Sequence, residues 1–354
     1  MFSQPGGVSV LVGGLVETVA IGGGYGSFRA YGAFVADRTD AAGAIRRALS
    51  IGLPVLFVLT AFGLHAAGVD AAVRDVLPVA GRSAGIVVLS AGGYAAALAG
   101  HRATVPVDAA VRDVDVDPGT QRRQFAAFAG SVVVAADVVL VALLARTVWV
   151  PALAVCGVAA GFYVLAAPAV EAMSATRAPT PAERARLGPA MAGDLDARVR
   201  VLETDATRWA GAYVRGPPRR RTLFVASHLL GAHPDAGVAA VTAIATGRAE
   251  RWYFATTVGS MAALGVAVVA VATGAYAVAA VAACCYALGC VRARRALFAA
   301  DADARRATSL DAVVTAQRRI AADADVSPDA GGFLRYALRG RASRAERLER
   351  LRAS

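Results

Sequence analysis

Few side chains in this chain could do chemistry, and their types narrow the choice. The only imidazoles are His65, His101, His228 and His233, and the only thiols are Cys156, Cys284, Cys285 and Cys290. All four thiols lie in apolar stretches without CxxC spacing, so they read as small core residues and not as a disulfide framework. His228 and His233 are five apart around a Leu-Leu-Gly turn, which does not put two imidazoles on one helix face. A displaced zinc site there would need a carboxylate such as Glu250. Ser227 adjoins His228, but neighbours at a strand end point apart, and no G-x-S-x-G elbow is present. Two acids, Glu17 and Asp137, fall inside apolar runs, and an ionisable group at membrane depth is a functional hypothesis by default. Every one of the 37 basic residues is an arginine. Without lysine there is no retinal or pyridoxal Schiff base, no Walker-A loop and no kinase-type lysine. Without asparagine there is no N-glycosylation site.

The elements that must position these groups are membrane helices. Of 354 residues 57% are apolar and 18% charged, and the mean hydropathy is +0.52. The apolar residues gather in blocks of about 20, the length needed to cross a bilayer. A wholly soluble protein and a disordered chain are both excluded. Seven spans are expected, at about 7–24, 51–69, 84–101, 125–145, 148–170, 253–273 and 275–291. The first is glycine-rich, carries Glu17, and reads as a span and not as a removable signal peptide. Of the 37 arginines, 34 fall in segments 25–50, 102–124, 171–252 and the tail from 292. Arginine collects on the cytoplasmic side, so the N-terminus is expected outside and the C-terminus inside. The net charge of +11 then matches a basic face beside anionic lipid. No aromatics are interleaved with the arginines, so no nucleic-acid partner is expected.

Four regions follow: a five-span membrane domain at 1–170, a cytosolic segment at 171–252, a two-span hairpin at 253–291, and a cytosolic tail at 292–354. Strands are expected at 198–203 and 222–226, broken by Gly216-Pro217-Pro218. Helices are expected at 234–250, 293–308 and 309–324, with 341–353 as a solvated amphipathic helix.

This layout resembles the integral-membrane zinc metallopeptidases of the CAAX prenyl protease and HtpX type. Gly211 to Gly216, followed by the strand 222–226 and Ser227-His228-Leu229-Leu230, is similar to the family's Asn-Ala-aromatic-x-x-Gly, hydrophobic strand and Leu-Leu run. Ala240 to Arg248 is similar to Ala-Val-x-Ala-His-Glu-x-Gly-His. Leu297 to Ala304 is similar to Glu-aromatic-x-Ala-Asp-x-x-Ala. Arg341-Ala342-Ser343 and Glu346 to Leu351 resemble His-Pro-Ser and a Glu-Arg-aliphatic repeat. The resemblance implies a helical membrane bundle, mainly α, with a small cytosolic α+β cap.

The departures decide the expected function. In the family, two imidazoles at i and i+4 and a carboxylate from a later helix hold zinc, and a glutamate acts as general base. Here Ile244, Arg248 and Leu297 stand at the ligand positions and Ala245 at the base position. Gly211 replaces a substrate-lining asparagine, and Arg341 a late histidine. Ile, Leu and Ala donate no electron pair, and a permanently protonated guanidinium repels a divalent cation. No metal or other cofactor is expected, and the favoured reading is a degenerate, non-enzymatic relative that binds or regulates membrane proteins or peptides. Two alternatives stand beside it: an active zinc metalloendopeptidase with a rebuilt site, and a small-solute or ion transporter using Glu17 and Asp137. The family's counterpart of Asp301 orients a zinc-bound histidine, so an Arg248–Asp301 ion pair is expected to replace the metal.

Overall fold

The computed structural model describes residues 5–35, 44–45, 48–77, 80–112, 117–145, 147–191, 196–323, 342 and 344–353. The chain is a mainly helical, multi-pass membrane protein with one small sheet. It divides into two compact units, residues 1–145 and 146–354. The fifth apolar span therefore packs within the second unit, where the sequence grouped it with the first four.

Among the described residues the first unit holds α1 (Pro5–Val35), a π-helical turn at Ala48–Gly52 that leads into α2 (Leu53–Ala66), then α3 (Val69–Val76), α4 (Gly81–Arg112) and α5 (Pro118–Leu143). α4 is the hub on which the other four pack. Small residues make this possible, as is usual where lipid gives no hydrophobic drive between helices. A Cβ on buried Gly93 would lie 2.8 Å from the Phe57 carbonyl oxygen, so α2 and α4 approach at backbone distance. α5 starts where Asp117 accepts hydrogen bonds from the Gly119 and Thr120 amides at 3.0 and 2.9 Å. That N-cap satisfies two otherwise orphaned donors, and the Thr120 hydroxyl, which also donates to the carboxylate at 2.6 Å, followed by these two amides, holds the Asp117 carboxyl below its ordinary range.

The second unit begins with α6 (Trp149–Met173) and continues through β1 (Thr176–Arg177), α7 (Pro181–Met191), β2 (Ala197–Leu202), β3 (Ala212–Arg215) and β4 (Arg221–Ala226). There follow α8 (Ser227–Ala232), α9 (Asp235–Glu250), α10 (Tyr253–Ala272), α11 (Tyr276–Ala307), α12 (Leu310–Asp323) and α13 (Arg344–Ala353). The sheet order is β1-β2-β4-β3, with only β2 and β4 parallel. Period-two alternation sorts its faces. Val201, Leu223 and Val225 turn toward α9 in the main core, while Leu202 and Phe224 pack on Ala167 of α6.

Six helical segments among the described residues are long and apolar enough to cross a bilayer: Leu49–Ala66, Gly81–Val111, Pro118–Leu143, Trp149–Met173, Tyr253–Ala272 and Tyr276–Ala307. The sequence marked seven; the glycine-rich α1 is not among the six. A second difference lies in the tail. The span at 275–291 and the helix at 293–308 are one helix, α11, because nothing between Cys290 and Ala307 breaks it: there is no proline or glycine. A third concerns the C-terminal helix, whose apolar side docks on α11 and α12 while Glu349, Arg350 and Arg352 stay exposed. Its Leu351 is 4% exposed in the main core.

Candidate functional site

α9 is the helix on which the family-like positions lie, and it is apolar on nearly every face. Such a helix is stable only when it is buried all round. The sheet covers one side, and α7, α11 and α12 cover the others. Ile244 points into the main core at 3% exposed, so the first expected ligand position is a packing residue. Gly247 lets α11 come close: a Cβ there would sit 3.3 Å from the Ala300 Cα.

The next turn of α9 opens onto a cavity of about 310 Å³. Ala245, Arg248 and Leu297 line it together with Tyr213, Arg215 and Arg347. Three of the four positions singled out by sequence therefore converge on one space. Its wall includes β3, which among the described residues pairs with β4 on one side only. The Arg215 guanidinium stacks between two rings, 4.5 Å from the Tyr213 centroid and 4.4 Å from that of Phe254. Arg248 sits 5.9 Å from the Tyr253 ring. Burial pushes the Tyr213 phenol above its ordinary pKa, against a smaller opposing pull from Arg215.

Asp301 is 1% exposed, and both its oxygens are held by Arg347. Nε donates to Oδ2 at 2.7 Å and Nη2 to Oδ1 at 2.5 Å. Where sequence suggested Arg248, the partner that grips Asp301 fork on fork is Arg347, and it comes from α13. An ion pair does tie the end of α9 to α11, but it joins Arg251, the residue that follows α9, to Asp303.

Zinc does not fit this cavity. Its wall offers an aliphatic chain, a methyl group and guanidinium groups where the metal needs imidazole, thiolate or carboxylate. Among the described residues no three His, Cys, Asp or Glu side chains cluster. His228 and His233 come within 6.3 Å, ring centre to ring centre, but Glu250 lies at the far end of α9, some ~22 Å of helix away. Ser227 is buried and accepts from the Thr204 amide, while the His228 amide donates to Thr204 Oγ1. Gly211 lies beside Trp209, and Arg341 lies outside the described residues.

The chain matches no protein-family model and no curated protein.

In the first unit, Glu17 is half-buried on α1, and Asp137 accepts a 2.6 Å hydrogen bond from Ser90 on α4. His101 stacks flat on Phe125 at 3.8 Å, and His65 pairs with Asp70 beyond the end of α2. The residues that sequence reasoning missed are Arg347, Arg215 and the Tyr253-Phe254 pair. Arg347 was visible only as part of a charged repeat, and nothing local distinguishes it from Arg344 or Arg350.

Proposed function

We propose that this chain is a catalytically degenerate relative of the CAAX prenyl protease and HtpX-type membrane metallopeptidases. In this reading it keeps the chamber, lacks the hydrolytic chemistry, and holds an extended segment of a membrane protein or peptide along β3. The observation that supports it most is convergence. Ala245, Arg248 and Leu297, chosen from scattered motif resemblances, line one cavity beside an edge strand. An edge strand offers unpaired backbone groups to an extended peptide.

The finer topology belongs to the same proposal. α1 is taken as a seventh span, with the N-terminus outside and the α+β region and C-terminus in the cytoplasm. Two features support this: the 31-residue length of α1 and its close packing along α2 and α4. The arginine distribution supports the orientation.

The test uses the purified full chain, with metal analysis and a casein cleavage assay run with and without chelator. Sub-stoichiometric zinc and no chelator-sensitive cleavage are expected. One tightly held zinc per chain with cleavage that chelator abolishes would overturn the reading in favour of an active peptidase.

One observation favours a second reading, solute or ion transport: the Ser90–Asp137 hydrogen bond between α4 and α5, both long enough to span. Flux into vesicles that Asp137→Ala abolishes would establish it.

A further inference from the structure

The turn between β3 and β4 carries Pro217-Pro218 followed by Arg219, Arg220 and Arg221. The chain reverses tightly here. Gly216 has φ +95°, and a Cβ on it would collide with the Arg220 carbonyl oxygen. Arg219 itself adopts φ +67°, a conformation that costs an L-residue energy and that glycine would take without strain. Three guanidinium groups are thereby gathered on one tip. Among the described residues no ion pair involves Arg219, Arg220 or Arg221, whereas the nearby Arg198 is taken by Glu171.

The depth of this tip is set by two helices. Gly216 packs beside Ala167 of α6. Ala167 is 18 residues beyond Trp149, or about 27 Å along the axis, close to the ~30 Å hydrocarbon thickness. α10 runs antiparallel to α6, with Gly265 beside Val155, and Phe254 beside Phe162 and Tyr163. Its first residue follows Trp252, which is 47% exposed and lies under the Arg221 guanidinium at 5.7 Å. An exposed tryptophan at the end of a span is the residue type that anchors at the headgroup level. The arginine tip, the last turns of α6 and the first turn of α10 therefore meet at one bilayer boundary.

A cavity of about 380 Å³ lies there, between Ala167 and Pro168 on α6 and the three arginines of the turn. We infer that this cavity binds the phosphodiester of an anionic phospholipid headgroup. The apolar wall of α6 takes the start of the acyl chains, and Trp252 flanks the glycerol level. Arginine suits this role because its planar fork engages two phosphate oxygens at once. Asp196 and Glu171 also line the cavity. With Glu171 occupied by Arg198, the surplus charge of the lining is positive. The inference rests on α6 and α10 as spans and not on the fate of the metallopeptidase-like site.

The test uses the full chain in a neutral detergent, with short-chain phosphatidylglycerol, short-chain phosphatidylcholine and inorganic phosphate as probes. Binding is read by native mass spectrometry and by tryptophan fluorescence. The expected result is a preference of about tenfold or more for phosphatidylglycerol over phosphatidylcholine. Arg219→Gly/Arg220→Gln should abolish it, and Arg219→Lys/Arg220→Lys should restore part of it. Arg318→Gln/Arg319→Gln, which removes the same charge from exposed positions on α12, should leave it intact. An unchanged preference in the Arg219→Gly/Arg220→Gln variant would overturn the inference. So would equal binding of the two lipids by the native chain, or displacement of phosphatidylglycerol by inorganic phosphate at equal concentration.

Discussion

α5 and α9 are both apolar helices, yet they are solvated by different media. α5 runs 26 residues and buries none of them, leaving Val132, Val134, Val138 and Leu140 facing outward. α9 runs 16 residues and buries nine. Water would penalise the outward face of α5, whereas hydrocarbon does not. α9 spans only about 24 Å, too short to cross a bilayer, and so takes its apolar surroundings from protein. Apolar composition is thus an incomplete guide to what a helix touches. Length and the company of a sheet decide it. The same contrast separates the two units: lipid and small-residue packing govern the first, and a water-excluding core governs the α+β part of the second.

The largest effect should come from the buried ion pair in the second unit. Asp301→Ala leaves Arg347 desolvated and uncompensated, and should cost about 3–5 kcal/mol in chemical denaturation of the purified chain. The double variant Asp301→Leu/Arg347→Met should recover most of that loss. If it does not, the pair does more than satisfy its own charges.

Ile244→Ala and Val134→Ala test the comparison of α9 with α5 directly. The first opens a cavity in protein and should cost about 2–5 kcal/mol. The second trims a lipid-facing side chain and should stay within about 0.5 kcal/mol, as exposed substitutions do. Equal losses in thermal unfolding would erase the distinction.

A smaller effect is set by pH. Arg177 donates to both oxygens of Glu183 at 2.6 Å, which lowers the Glu183 carboxyl to about 2, with help from the Thr180 amide. A carboxyl depressed on folding contributes stability above its ordinary value of 4.5, and that contribution fades as pH falls from 4.5 toward 2. Arg177 is more than a third exposed, so solvent screening reduces the effect to about 1 kcal/mol. Denaturation of the native chain and of Glu183→Gln should converge as the pH is lowered through this window.

The smallest effect belongs to the first unit. Asp137→Ala removes the Ser90 hydrogen bond and should cost about 0.6 kcal/mol, the average for such bonds between membrane helices. A loss several times larger would show that the carboxylate anchors a wider polar network between α4 and α5.

Much of this architecture was readable in advance because its signals are local. The strand at 222–226 and the helix at 234–250 appear within a residue of their expected places, since alternation, a proline break and alanine-rich propensity all act over a few positions. The apolar blocks likewise announced α4, α5, α6 and α10. Only the ends went astray, as at α11, where a charged sequence simply continues a helix that left the apolar block. Motif order grouped Ile244, Arg248 and Leu297, but that Ala245 and not Ile244 shares the cavity with the other two, and which arginine holds Asp301, was not legible. Several arginines were chemically equal candidates, and choosing among them required the position of α13.

The sequence alone therefore determined what kind of molecule this is: arginine-rich, lysine-free, mainly helical, and built on segments long and apolar enough to cross a bilayer. These are properties of residue type and short-range spacing, which need no fold to be read. The tertiary structure alone decided that Arg347 holds Asp301, that Ile244 is core while Arg248 faces a cavity, that Arg221 lies over Trp252, and that Arg219, Arg220 and Arg221 share a cavity with Ala167 of α6. Each of those contacts joins residues far apart in the chain, and such a meeting is fixed by how helices and sheet pack, to which no local pattern has access.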